Sequence, residues 1–114
     1  MIEAARYAEI VETPSFERAA KKLFDDDELS ELVWTVAQRP DAGVVMPRTG
    51  GFRKLRFALE GRGKSGGSRV IYYYVDRRER VYLIYAYAKS ERETLSREQE
   101  KELQRLAKVL DEEE

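Results

Sequence analysis

Ser68-Arg69-Val70-Ile71-Tyr72-Tyr73-Tyr74-Val75, then the short polar turn Asp76-Arg77-Arg78-Glu79, then Arg80-Val81-Tyr82-Leu83-Ile84-Tyr85-Ala86-Tyr87-Ala88-Lys89 is the stretch on which the fold turns. β-branched and aromatic residues dominate both runs, and the four-residue polar link is too short for anything but a hairpin. A third run, Phe52 to Leu59, places Lys54, Arg56 and Ala58 on one face and Phe52, Leu55, Phe57 and Leu59 nearly all on the other. Three consecutive strands therefore predict an antiparallel-rich sheet.

Working outward, Arg6 to Glu12 reads as a short strand that Thr13-Pro14 ends. Thr13 suits an N-cap and Pro14 the first helical position; Phe16, Ala19, Ala20 and Leu23 follow at helical spacing. Asp25 to Asp27 supply a cap and acids for a second helix, on which Leu29, Leu32, Val33, Val36 and Ala37 form one apolar stripe before Arg39-Pro40 stops it. These two helices predict a hairpin packed on the sheet. Pro40 to Gly51 is turn-rich. At the carboxy end, Ser96 with Gln99 three residues on forms a capping box for a helix striped by Leu103, Leu106, Val109 and Leu110, and the acidic tail Asp111 to Glu114 follows. The order β-α-α-β-β-β-α is expected to give one α+β domain over 1–114, with a sheet of about four strands, one face under helices and the other open to solvent.

The 114 residues contain no cysteine and no histidine, which excludes disulfide frameworks, Cys-ligated zinc, thiol nucleophiles, zincins and histidine-based hydrolytic triads. No metal or cofactor is implied. No apolar run approaches the roughly 18 residues of a membrane span, and no signal-peptide layout opens the chain, so a soluble cytoplasmic protein without a membrane partner is expected. The net charge of −1 hides a segregation. Residues 48–80 hold ten Lys/Arg against three acids, while the remainder holds eleven against nineteen. A cationic surface on an acidic body suits a polyanion docking at one place, although a charge coat on a small domain would read the same way.

Within that basic segment, Lys54 and Arg56 are two apart on a strand, beside a strand beginning with Arg69 and another ending with Lys89. Converging cations repel one another, and a bound phosphate would relieve the repulsion, the Arg fork matching its oxygens bidentately. Tyr87 shares the period of Lys89 and is the aromatic candidate to stack a base or pass a proton. Between the strands, Gly61-Arg62-Gly63-Lys64-Ser65-Gly66-Gly67-Ser68 contains Gly-Lys-Ser, but a Walker loop needs a glycine where Ala58 stands and a helix afterwards, and here a strand follows. Glycines flanked by Arg62 and Lys64 fit a loop following a phosphate backbone, or a solvated hairpin loop. A cation cluster without histidine can still cleave RNA. The substrate's own 2′-hydroxyl attacks the adjacent phosphorus, clustered Arg and Lys hold the charge that builds there, and DNA, lacking that hydroxyl, is spared.

The runs Gly50-Gly51-Phe52-Arg53-Lys54-Leu55-Arg56, Gly61 to Tyr73 and Tyr82 to Lys89 resemble the RelE/ParE superfamily of type II toxin–antitoxin toxins, most closely its HigB-like branch. The resemblance implies a RelE-like fold and a ribosome-dependent mRNA endonuclease that cuts codons in the A site, held inactive by a cognate antitoxin, usually a helix-turn-helix, HigA-like protein. It places the family's strand-borne basic pair on Lys54 and Arg56, its phosphate-binding arginine on Arg69 and its basic residue after the last strand on Lys89. Arg53, Arg62, Lys64 and Ser68 are the further RNA contacts expected in such a site. Ser90 stands where RelE proper follows that lysine with an arginine, and RelE's catalytic tyrosine has no counterpart around Leu95-Ser96-Arg97. The general base then lies among Lys54, Lys89 and Tyr87. Two other functions share the scaffold or the charge: a non-catalytic ParE-type toxin acting on DNA gyrase, and a plain RNA-binding module.

Overall fold

The computed structural model describes residues 7–58, 67–91 and 94–113, so Arg6, Leu59, Arg62, Lys64 and Glu114 lie outside the described residues. Strand β1 (Glu9–Glu12) leads into helix α1 (Pro14–Leu23), α2 (Asp26–Gln38), β2 (Val44–Val45), β3 (Arg53–Phe57), β4 (Ser68–Val75), β5 (Arg80–Ala88) and α3 (Arg97–Glu112). Local chemistry sets the helix starts. The Thr13 hydroxyl accepts from the Phe16 N–H with Pro14 at the first position, and Asp25–Glu28 and Ser96–Gln99 each close a reciprocal capping box. A 3₁₀ turn over Asp76–Arg78, ending at Glu79 in the left-handed region, joins β4 to β5.

The sheet has five strands in the order β1-β5-β4-β3-β2, not about four. The extra one is the two-residue β2, which pairs Val44 with Lys54 and Val45 with Arg53 inside the segment expected to be all turn. β1 runs parallel to β5, and the other pairs are antiparallel.

Both faces carry helices, which corrects the expectation of one open face. On one side Phe16, Leu23, Leu32 and Val36 of the helix pair bury against Val70, Tyr72, Val81, Leu83, Ala86 and Ala88. On the other, Ala107 and Leu110 of α3 meet Phe52, Ile71, Tyr73, Val75 and Tyr82. Phe52 therefore faces α3 rather than joining Leu55 and Phe57, as its even position dictates. Val109, expected in the α3 stripe, is exposed, because a helix of 3.6 residues per turn brings 103, 107 and 110 to the sheet and leaves 109 outside. Arg78 clamps the end of α3, donating to the Leu110 carbonyl at 3.0 Å and the Asp111 carbonyl at 2.8 Å. Arg77 donates to the Asp111 carbonyl as well. Burial, reinforced by a hydrogen bond to the Asp111 side chain, pushes the Tyr73 hydroxyl up to about 12.

One irregularity governs the face assignment. Opposite β4, the partner of Ile71 is Tyr85 but the partner of Tyr72 is Leu83, so Ile84 is an extra residue in β5. The bulge reverses the alternation: Val81 and Leu83 face the helix pair, whereas beyond it Ala86 and Ala88 do. It is held from the side by the start of α1, where the Ser15 hydroxyl donates to the Ile84 carbonyl at 2.7 Å and the Thr13 hydroxyl to the Leu83 carbonyl at 2.8 Å.

The turn before β2 is pinned by a fully buried tyrosine. The Tyr72 hydroxyl donates to the Pro40 carbonyl and accepts from the Gly43 N–H, both at 2.8 Å. Gly43 has no room for a side chain, since a Cβ there would meet the Tyr72 ring at 2.9 Å. Tyr72→Phe leaves both backbone groups without that partner, and thermal unfolding should show a loss of about 1–3 kcal/mol.

Candidate functional site

Cross-strand neighbours share a face, so the pairings Arg56 with Arg69 and Arg69 with Tyr87 align three side chains in one row across β3, β4 and β5. A second row, Lys54–Ile71–Tyr85, lies beside it, about 7 Å along the strands. Both rows are on the α3 side of the sheet, at the end away from the Arg77 and Arg78 clamp. Arg56 is exposed and Arg69 half-buried, its guanidinium donating to the Ser68 carbonyl at 3.1 Å. Like charges directly opposite one another in a sheet destabilise it, so Arg56 facing Arg69 is an arrangement that packing alone does not favour.

The two arginines border a groove of about 430 Å³ whose lining is completed by Ala42, Val44, Lys54 and Leu55. Lys54 stands on a divide, because it also lines a 240 Å³ apolar hollow with Val44, Val45, Met46 and Leu95. A concave space with a lysine and two arginines along it can hold an anion by charge-assisted hydrogen bonds and can stabilise negative charge that grows during a reaction.

The residues singled out from the sequence divide into four groups. Lys54, Arg56, Arg69 and Tyr87 come together in the two rows. Lys89 has left the strand for a 3₁₀ turn; its N–H donates to the Gly67 carbonyl at 3.0 Å, which keeps its main chain at the same end of the sheet but outside the row. Arg53 and Ser68, expected as RNA contacts, turn to the face opposite Arg56 and Arg69. Arg53 donates to the Asp41 and Gly43 carbonyls at 3.1 and 2.8 Å, and the fully buried Ser68 hydroxyl donates to the Phe57 carbonyl at 2.9 Å. The period of two accounts for both, since 53 and 68 have parity opposite to 56 and 69. Arg62 and Lys64 lie outside the described residues.

Two features escape a reading of the sequence. Ala42 and Val44 form the far wall of the groove, which depends on Tyr72 and Arg53 holding the preceding turn. Tyr85 is exposed and stacked on Tyr87, which is itself buried, with ring centroids 6.3 Å apart and an interplanar angle of 29°. Only the Ile84 bulge decides that these two rings face the arginines, although the shared parity of 85 and 87 was available.

A mixed five-stranded sheet with a helix pair on one face and a lone helix beside basic residues on the other is the RelE-like α+β fold. The family model described as the RelE toxin of the RelE/RelB toxin–antitoxin system matches residues 8–114, and the chain belongs to that family of toxins. Among solved structures it is similar to an arginine double mutant of the E. coli toxin RelE in the free state, with a TM-score of 0.53 and 18% identity over 74% of this chain and 84% of that one. It is also similar to a chain of the RelBE2 toxin–antitoxin complex from Mycobacterium tuberculosis, with a TM-score of 0.56 and 18% identity over 73% and 98% of the two chains. A chain of the intact E. coli RelBE toxin–antitoxin complex follows at a TM-score of 0.52 and 21% identity over 75% and 99%. At these identities the likeness is one of fold.

Proposed function

We propose that this chain, acting as one domain in the cytoplasm, is a ribosome-dependent mRNA endonuclease of the HigB-like kind. The observation that carries the reading is the row of Arg56 opposite Arg69 beside Lys54, bordering a groove of about 430 Å³. Family membership supports it, and so does the run Gly63-Lys64-Ser65-Gly66-Gly67-Ser68-Arg69 that introduces β4.

In the mechanism, Arg69 grips the scissile phosphate and Arg56 stabilises the dianion that builds on its oxygens. The 2′-oxygen of the substrate forms the new bond to phosphorus and gives up its proton; the bond to the 5′-oxygen breaks, and that oxygen takes a proton. Lys54, half-buried beside both guanidiniums, assists the proton transfer, and Lys89 neutralises the leaving side. Tyr87, buried beside Arg69 in the same row, positions the arginine from the side. Relatives of this fold are found in complexes with antitoxins. The partner proposed here is a helix-turn-helix, HigA-like protein that keeps the toxin from the ribosome and its mRNA.

Primer extension on mRNA in a translating extract tests the reading. Breaks within A-site codons, and no breaks in the same RNA without ribosomes, are expected. Intact mRNA with relaxed DNA supercoiling would assign the protein to gyrase inhibition, and bound but uncut RNA would make it a binding module.

A further inference from the structure

Ser15 stands at the second position of α1, where the helix has no use for its hydroxyl. Thr13 already caps the Phe16 N–H, and the Ser15 side chain reaches instead to the Ile84 carbonyl of β5, at 2.7 Å. We infer that Ser15, together with Thr13, is a positioning residue for RNA cleavage. It holds the β5 bulge, and through it the half of β5 that sets Tyr87 beside Arg69 and the Lys89 main chain beside Gly67. The inference rests on the nuclease reading above.

The strand needs holding where the bulge falls. β1 ends at Glu12, opposite Leu83, so among the described residues Tyr85 to Ala88 have β4 as their one strand neighbour. The extra residue at Ile84 breaks the alternation of the ladder at that same point and leaves backbone groups out of step with it. The start of α1 meets these groups in order. The Leu83 carbonyl accepts from the Thr13 N–H at 3.2 Å and from the Thr13 hydroxyl at 2.8 Å, and the next carbonyl, that of Ile84, accepts from Ser15. Two successive carbonyls thus bond to one helix start, which the alternating carbonyls of a regular strand could not do.

Packing enforces the turn of the rings toward the arginines, because Ala86 and Ala88 lie in the core under the helix pair, where two tyrosines would overfill the space. The hydroxyl governs something finer, the placement of Tyr87 against Arg69. Catalysis is sensitive on that scale, since a misplacement of about 1 Å can cost about a hundredfold in rate. The Ser15 proton is spent on Ile84, so the side chain acts through β5 and not on the RNA.

The test uses the full-length chain, in excess over ribosomes carrying mRNA, as Ser15→Ala, Ser15→Thr and Arg69→Ala. Alanine is the better helix former at position 15, so Ser15→Ala should fold. Its plateau cleavage rate at saturating toxin is expected to fall about tenfold, with the toxin concentration for half-maximal rate unchanged. A mere loss of folded protein does the reverse, raising that concentration and sparing the plateau. Ser15→Thr keeps the hydroxyl and should recover most of the plateau. Amide hydrogen exchange reads the clamp without RNA: Tyr85 to Ala88 should exchange faster in Ser15→Ala, with Val81 unchanged. A wild-type plateau in Ser15→Ala while Arg69→Ala is inactive discards the positioning role and leaves the nuclease reading standing. Equal losses in the Ala and Thr variants, or unchanged exchange, discard it too. If Arg69→Ala reaches the wild-type plateau, the nuclease reading falls and takes the positioning role with it.

Discussion

Arg69→Ala is expected to lower mRNA cleavage by about a hundredfold or more and to abolish growth arrest, with an unchanged circular dichroism spectrum. The magnitude follows from what the side chain does in the proposed site. Removing one preorganised donor from a developing oxyanion costs on the order of 10²–10³ in rate, and Arg69 supplies a charge as well as a fork of donors. Its position makes substitution structurally mild. Arg69 is half-buried at the first turn-in of β4, its backbone pairing with Arg56 and Tyr87 persists without the side chain, and deletion relieves its repulsion with Arg56. Arg69→Lys separates charge from geometry. A lysine keeps the field but not the bidentate grip, so its activity should fall between wild type and alanine. Full toxicity of Arg69→Ala in cells, with the protein present at normal abundance, would discard the site.

Gly67→Ala should be the most damaging single-methyl change at the site. Gly67 has φ +69°, and a Cβ there would stand 2.7 Å from the Phe57 carbonyl oxygen and 3.2 Å from the Ala58 Cα, both backbone atoms that cannot swing aside. The left-handed conformation alone costs a non-glycine residue roughly 1–2 kcal/mol, and the clash adds to it, so thermal unfolding should report a loss of about 2 kcal/mol or more. The consequence for activity is separate. The Gly67 carbonyl accepts from the Lys89 N–H, and the next residue, Ser68, pairs with Phe57 and Ala88, so this one position sets the register that brings Arg69 opposite Arg56 and Tyr87. Cleavage should therefore fall even at a temperature where the variant remains folded. Wild-type stability together with wild-type cleavage in Gly67→Ala would show that the register is fixed elsewhere.

The elements that were legible in the sequence are those whose causes are local. Thr13-Pro14, Asp25 with Glu28 and Ser96 with Gln99 satisfy orphan N–H groups within one turn, so their helices begin where a reader of the chain would start them. β4 spans Ser68–Val75 as expected, because an unbroken β-branched and aromatic run between a glycine and an aspartate has no competing state. Lys54, Arg56 and Arg69 were legible for the same reason: a period of two puts the first pair on one face, and the short basic strand starts bring the third alongside.

Other features needed partners distant in the chain. β2 has two residues and exists because Arg53 and Lys54 offer it a ladder, while β1 reaches β5 across some seventy positions and pairs parallel there. The residue types determined that this chain would carry its excess of cations within residues 48–80 on an α+β frame. Which cations share a groove was decided by packing. Arg53 spends its donors on the turn that Tyr72 anchors, Ser68 is buried under the helix pair, and the extra residue at Ile84, tied to α1 through Ser15, rotates Tyr85 and Tyr87 to the side of the arginines. Alternation along a strand is an intrinsic property of the backbone, but a bulge that reverses it is stabilised by side chains from another element, and only the assembled sheet and helix contain both.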